Sequence, residues 1–256
     1  EAFPHGVLKI VDTHDRFGDR HLQYLKAGKV PQWFSTSVES EARALARADV
    51  VLAIQETEAS LFANSLGDKA KVITVGHLMG HVDTLTCSNR LAAVFVGSDN
   101  AINVDAAIWF VEVVVPLVRE EFPGFELILA GNVCGAVGDI PGVVKIGQID
   151  SISDAYRMGR LAVNPVRMGT GLNIKTVECL AFGVPLIASE SGSRGLEIYR
   201  GAAFKCVPNG DAVGMAAAVR EVLRDEALAA DLAIEARKAW YSWSADQVGA
   251  LREVLR

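Results

Sequence analysis

The chain has 256 residues, half of them apolar, which suffices for one large or two modest domains with cores of their own and excludes an intrinsically disordered chain. A formal net charge of −6 argues against a polymeric nucleic acid as partner, because phosphate backbones are held by basic surfaces; a small nucleotide is compatible with it. The four cysteines, Cys87, Cys134, Cys179 and Cys206, show no CxxC or Cys/His spacing, so buried thiols in a reducing compartment are expected rather than a zinc site or a disulfide framework.

Residues 7–15, VLKIVDTHD, read as a buried parallel strand ending in polar residues, where α/β proteins place their sites. Residues 17–30 are polar and mixed, a helix and a loop. SVESEARALARA, residues 37–48, opens on the capping residue Ser37 and continues with helix formers. A second strand over 49–54, a helix over 56–66 ended by Gly67 and a third strand over 71–75 follow. Three β/α units need further strands to close a sheet covered on both faces, which predicts a chain truncated at its N-terminal end. His77 and His81 are spaced i, i+4 but lack the glutamate and third ligand of a zinc motif, so they read as linker or cleft residues.

The second half repeats the alternation. A strand over 92–97 leads to the turn at Gly97 and Ser98, whose glycine either lets the backbone approach a phosphate or simply turns the chain. Residues 104–122 form a helix with Ile108, Val111, Val115 and Val118 on one face, and Pro116 removes an internal hydrogen bond and kinks it. Its apolar stretch, 106–118, is broken by Glu112 and Pro116 and is too short to cross a bilayer. Strands are expected over 125–131, 143–147, 161–164, 184–189 and 202–207, and helices over 211–224, 226–241 and 245–256, with Trp240 and Trp243 as packing anchors.

The chemistry concentrates in residues 163–195, VNPVRMGTGLNIKTVECLAFGVPLIASESGSRG. Gly169 and Gly171 permit a tight turn, Asn173 is placed to cap the next helix, and Ile174, Val177, Leu180 and Ala181 give that helix one apolar face. A helix opening behind a glycine loop presents free N–H groups and the positive end of its dipole, a combination that holds phosphate oxygens. The amides of Gly169, Thr170, Gly171 and Leu172 would line such a site, with Lys175 first and Arg167 second as full positive charges. Glu178, one turn beyond Lys175, can accept hydrogen bonds from a ribose diol. The bland reading is a glycine turn followed by a solvated i, i+3 pair.

The run NPVRMGTGLNIKTVECLAFGVPLIAS, with GSRGL after it, resembles the donor-binding segment in the C-terminal domain of GT-B glycosyltransferases, most closely family 4. VFVGSDNAINVDAAIWFVEVVVPLVREEFPGFELILAG is similar to the opening strand–helix–strand of that domain. The resemblance implies an α/β fold of GT-B type, with two Rossmann-like domains facing across a cleft. Residues 1–88 would be the last part of an incomplete N-terminal, acceptor-side domain and a linker, 89–238 the complete nucleotide-sugar donor-binding domain, and 239–256 a helix returning toward the first domain.

The family relation also implies roles. His14, at the end of a late strand of the first domain, with its neighbour Asp15, would be catalytic, and Gly97 and Ser98 would join the diphosphate site. Gly147, Gln148 and Ile149 would border the nucleobase, and Glu178 would bind the ribose as the second acid of an E-x7-E pair. The first acid would fall on Thr170, which is not acidic, so the resemblance lacks one contact to the transferring sugar or its phosphates; separately, Gly97-Ser98-Asp99-Asn100 stands where the family commonly has Arg and Lys after the domain's first strand.

The implied activity is transfer of a sugar from a nucleotide-diphosphate sugar to a glycan or lipid-linked acceptor, with retention and without a metal ion, since no DxD or other carboxylate cluster stands in the sequence. No separate cofactor is implied. Cytoplasmic location, at the inner face of a membrane and with peripheral membrane contact through the missing N-terminal part, fits such enzymes. The alternatives are a non-catalytic nucleotide-sugar-binding module and a sugar-nucleotide epimerase on the same fold. A dinucleotide oxidoreductase is disfavoured, because G-x-G-x-x-G is missing after residues 92–97.

Overall fold

The computed structural model describes residues 6–26, 28–80 and 82–255. The chain divides into two compact units, one made of Glu1–Leu78, Gly169–Leu172 and Trp243–Arg256, the other of Met79–Met168 and Asn173–Ser242.

The first unit contains strand β1 (Ile10–Asp12), helices α1 (Arg20–Lys26) and α2 (Val38–Leu45), strand β2 (Val50–Ala53), helix α3 (Glu56–Leu66) and strand β3 (Lys71–Thr74). The strands form a parallel sheet in the order β1-β2-β3. Alternate residues of β2 serve opposite faces, as the two-residue strand period requires. Val51 and Ala53 pack with Leu45, Ala59, Phe62 and Leu66 of α2 and α3, while Val50 and Leu52 join Val75, Ala250, Leu251 and Val254. Ser37 caps α2 as its sequence predicts, its hydroxyl accepting the Ser40 N–H at 3.2 Å.

β1 corrects one expectation. It spans three residues rather than nine and is exposed rather than buried, because it is an edge strand paired with β2 alone among the described residues. Val7 and Leu8 before it, and Val30, Trp33 and Phe34 after α1, also stand exposed.

The second unit continues with β4 (Ala92–Val96), α4 (Ala101–Trp109), a π-helical segment (Phe110–Val114), α5 (Val115–Arg119), β5 (Glu126–Ala130), β6 (Val143–Gly147), α6 (Ile152–Arg157), β7 (Leu161–Asn164), α7 (Ile174–Phe182), β8 (Leu186–Ser189), β9 (Lys205–Val207) and α8 (Ala212–Arg224). Its six strands are all parallel, in the order β6-β5-β4-β7-β8-β9. Phe95, Leu127, Leu129, Leu161, Val163 and Ile187 of the sheet bury one face against Phe110, Val114, Val118, Val219 and Val222.

Three further expectations change here. The irregularity near Pro116 is a π turn over the preceding residues instead of a kink at the proline. The Val115 N–H reaches back five residues to the Phe110 carbonyl, widening the coil just ahead of a residue that has no N–H to give. The helical run Ala101–Arg119 is, by length and composition, long and apolar enough to cross a membrane, contrary to the shorter stretch read from sequence, but Ala106, Phe110, Val111, Val114 and Val118 are buried in this unit's core. Finally, the two helices expected over 226–241 and 245–256 are one helix, α9 (Glu226–Val254), since Ser242 to Ser244 contain neither glycine nor proline to stop it. Trp240 and Trp243 are both buried on it.

Gly131, just after β5, holds φ +92°, and a Cβ there would stand 2.4 Å from the Gly97 carbonyl oxygen, so only glycine fits beside the end of β4.

Candidate functional site

In the second unit the strand order reverses between β4 and β7: β5 and β6 lie to one side, β8 and β9 to the other. Loops leaving such a pair diverge and open a crevice beyond the carboxyl ends of the strands, where open α/β sheets bind ligands. Gly97 and Ser98 follow β4, and the loop leading to α7 follows β7. Between the helices these connections lead into, the Lys175 ammonium of α7 donates to Asn103 Oδ1 of α4 at 2.8 Å. Asn103 in turn donates from Nδ2 to Ser98 Oγ at 3.0 Å, and Asn100, whose side chain caps α4 on the Asn103 N–H, donates to the same hydroxyl.

The Lys175 Nζ also lies 5.9 Å from the centre of the Phe95 ring. Burial holds this ammonium below the usual lysine range; the Glu178 carboxylate opposes that shift and the like charge of Arg194 adds to it. The solvated-pair reading of Lys175 therefore does not describe it.

Glu178 accepts a hydrogen bond from the Tyr156 hydroxyl at 3.2 Å. Burial raises its carboxyl above the ordinary range, against the Tyr156 hydrogen bond and the Lys175 charge. Arg167 is held differently from the sequence picture. Its Nε and Nη2 donate to Asp105 Oδ2 at 3.2 and 2.7 Å, and its guanidinium lies over the Trp109 ring. That charge is already matched within the protein. Gly97 likewise gives its N–H to the Ala130 carbonyl and its own carbonyl to the Val133 N–H, which favours the turn reading. Gly147 ends β6 with φ +69° and accepts the Gly131 N–H; Gln148 after it is exposed and Ile149 partly buried.

Helix α7 begins after Asn173, whose side chain does not cap it. The Asn173 side-chain oxygen accepts instead from Asn164 Nδ2 at 2.7 Å, because Asn164, buried at the end of β7, takes it into a network. The same Asn164 amide donates to Thr176 Oγ1 and the Gly192 carbonyl, and Thr176 donates to that carbonyl at 2.6 Å. The start of α7 is thus fixed by side chains of β7 and by the turn after β8. Ile174, expected on the apolar face, is exposed, while Thr176 and Cys179 are buried.

The first unit holds the remaining sequence candidates. Gly169 and Gly171 have φ +129° and +72°, within reach of glycine alone at low cost. The Gly171 N–H donates to Glu58 Oε1 at 3.0 Å, and the Thr170 hydroxyl to Asp15 Oδ2 at 3.1 Å. Leu172 is buried. Asp15 also pairs with Arg20 at 2.8 Å. His14 is exposed, with φ +50° and its Nε2 3.6 Å from Asp12. Glu58 is buried with Oε2 unpartnered, and burial, then the charge of Asp15, raises its pKa against hydrogen bonds from Gln55 and Gly171. His77 is held below the usual histidine range by burial and by His14, and His81 lies outside the described residues. Among the described residues no three His, Cys, Asp or Glu side chains are grouped as metal ligands would be.

Sequence reasoning missed Asn103, Tyr156, Asn164 and Glu58; Asn103 and Glu58 meet their partners 72 and 113 residues away, whereas Asn164 meets Asn173 only 9 residues on. The one available signal was Asn100, a capping residue type ahead of a helix, read only as part of a family departure.

The sequence profile described as Glycosyl transferases group 1 matches residues 90–225, more than half of the chain. The chain belongs to the glycosyl transferases group 1 family. A phosphatidyl-myo-inositol mannosyltransferase of Mycolicibacterium smegmatis is 31% identical over 140 residues, 51% of this chain and 36% of that protein. Among solved structures, TarM of S. aureus, in complex with Fondaparinux, alpha-GlcNAc-glycerol and UDP, superposes with a TM-score of 0.78 at 12% identity over 98% of this chain and 51% of its own. HepE of Anabaena with UDP and glucose gives 0.67 at 14% identity, over 95% of this chain and 71% of its own. This group 1 chain therefore spans about a third of the curated relative and half of TarM, and it has the GT-B fold of these glycosyltransferases. The family match contains Asn103, Lys175, Glu178 and Arg194.

Proposed function

We propose that the chain carries the donor-binding part of a glycosyltransferase that moves a sugar from a nucleotide-diphosphate sugar to a glycan or lipid-linked acceptor. The observation that carries this reading is the Lys175 ammonium, partly buried at the β4/β7 crevice and held by Asn103. As the bond from the sugar's anomeric carbon to the diphosphate breaks, negative charge grows on the departing phosphate. A fixed ammonium and the dipole of α7 stabilise that charge more than they stabilise the intact donor. Glu178, oriented by Tyr156, would accept from the ribose hydroxyls, and Gly147, Gln148 and Ile149 would border the base. UDP accompanies TarM and HepE in their solved structures, which makes a nucleoside diphosphate the reasonable first ligand.

The remaining parts of the proposal rest on the family relation. Residues 89–238 serve as the donor segment, with 1–88 on the acceptor side and 239–256 returning to it. His14 and Asp15 act as catalytic residues; the transfer retains anomeric configuration, is of hexosyl type and uses no metal or further cofactor. The reaction takes place in the cytoplasm at a membrane face. A non-catalytic nucleotide-sugar-binding module is the second reading, favoured by one observation: the Thr170 and Gly171 donors are already taken by Asp15 and Glu58.

Titration calorimetry with UDP, GDP, dTDP and NAD tests the first step. One nucleoside diphosphate is expected to bind, NAD is not, and Lys175→Ala should weaken binding at least tenfold, or about 1.4 kcal/mol. Binding of NAD alone, or indifference to Lys175→Ala, overturns the reading. Sugar transfer by the whole protein separates enzyme from module.

A further inference from the structure

We infer that Asn103 is a positioning residue that sets the hydrogen-bond polarity of the crevice beside β4. Its amide holds the Lys175 ammonium on one side and turns the Ser98 hydroxyl outward on the other, so both meet a ligand as donors. The inference rests on the donor-binding reading above and specifies what that site selects: a group that accepts hydrogen bonds and gives none, as the oxygens of a diphosphate do.

The polarity follows from which groups can only donate. An ammonium has no lone pair, so the atom of Asn103 that meets Lys175 Nζ at 2.8 Å is the amide oxygen. The amide nitrogen is then the atom 3.0 Å from Ser98 Oγ, and the serine has to accept from it. Asn100 is turned the same way. Its side-chain oxygen accepts the Asn103 backbone N–H at 2.9 Å, another pure donor, which leaves its Nδ2 to donate to Ser98 Oγ at 3.0 Å. A serine hydroxyl has two lone pairs and one proton. Both lone pairs are engaged here, so the proton points away from the two asparagines. Ser98 is exposed at the turn after β4, and among the described residues no acceptor takes that proton.

Asn103 is 4% exposed, in the first turn of α4, and is fixed by its bonds to Lys175, Ser98 and Asn100. Lys175 gives it one of three N–H groups, and no other hydrogen-bond acceptor meets the ammonium among the described residues. One charged and one neutral donor are thus presented a single amide apart. Phosphoryl oxygens accept from both and have no proton of their own to place.

Asn103→Asp keeps the size of the side chain and reverses this polarity, because a carboxylate accepts from Lys175 and also from Ser98, drawing the serine proton inward. On the 256-residue chain, binding of UDP, GDP, dTDP and inorganic pyrophosphate would be measured for Ser98→Ala, Ser98→Thr, Asn103→Asp and the double variant. Weak binding is read from the rise in thermal midpoint at high ligand concentration. Ser98→Ala is expected to weaken the preferred diphosphate and pyrophosphate about fivefold, and Ser98→Thr to stay near the parent. Asn103→Asp is expected to lose at least tenfold with its unliganded midpoint within about 2 °C of the parent, and Ser98→Ala to add no loss in that background. A merely structural Asn103, or one felt only through the added charge, would leave the Ser98→Ala loss the same in both backgrounds, and that result overturns the inference. Equal binding by Ser98→Ala and Ser98→Thr overturns it too, and decides the matter even where Asn103→Asp does not fold. If the unaltered chain binds none of the four probes, the donor reading fails and takes this one with it; binding that ignores Ser98 removes this one alone.

Discussion

Lys175 is a cation kept in an environment that disfavours it, and that has a measurable sign. Burial and Arg194 lower its folded-state pKa below the ordinary 10.5, so the folded chain binds fewer protons there than the unfolded chain. The group's contribution to stability is then fully present above pH 10.5 and is lost as pH falls through the lowered value. Chemical denaturation of the unliganded chain and of Lys175→Met between pH 7 and 10.5 should show their difference moving toward the unaltered chain as pH rises; a constant difference would show that the ammonium is not depressed. Lys175 and Glu178 were legible because they belong to one short motif, where spacing alone puts them a turn apart. Asn103 was not, since it reaches Lys175 from 72 residues away, a meeting that only the packed sheet brings about. Asn173 misled for a related reason: a capping residue type stood at the right place, but the buried Asn164 competed for its side chain.

At the scale of elements, helices were legible where a helical pattern was bounded by glycine, as with α3 and Gly67. Interruptions and joins were less so. Pro116 marks a break, but whether the coil bends or widens depends on what the core requires of Phe110 and Val114, both fully buried. The gap supposed between the last helices had no residue to enforce it. One element boundary carries a firm prediction. Gly131→Ala would press a Cβ against the Gly97 carbonyl and force an L-residue to φ +92°, costing about 3 kcal/mol. Thermal unfolding should fall by roughly 5–10 °C. A shift within about 1 °C would mean that the ends of β4 and β5 can separate freely.

For the molecule as a whole, alternating apolar strands and amphipathic helices were enough to specify parallel sheets, because short connections between unlike elements admit few other arrangements. What the sequence could not supply was the surroundings of each strand. β1 has the apolar composition of an interior strand and stands at an exposed edge.

The parallel order of the second sheet has one more consequence. Every strand there points the same way, so Asn103, Lys175 and Arg194 all lie on connections that leave one rim, and the opposite rim is left to turns such as Pro123–Gly124, where a Cβ on Gly124 would meet open space. The two rims can therefore vary independently. A reporter peptide spliced in at Gly124 should leave nucleoside diphosphate affinity within about twofold of the parent. A larger loss by calorimetry would mean the two ends of the sheet are coupled, and the fold would be a less separable scaffold than its strand order implies.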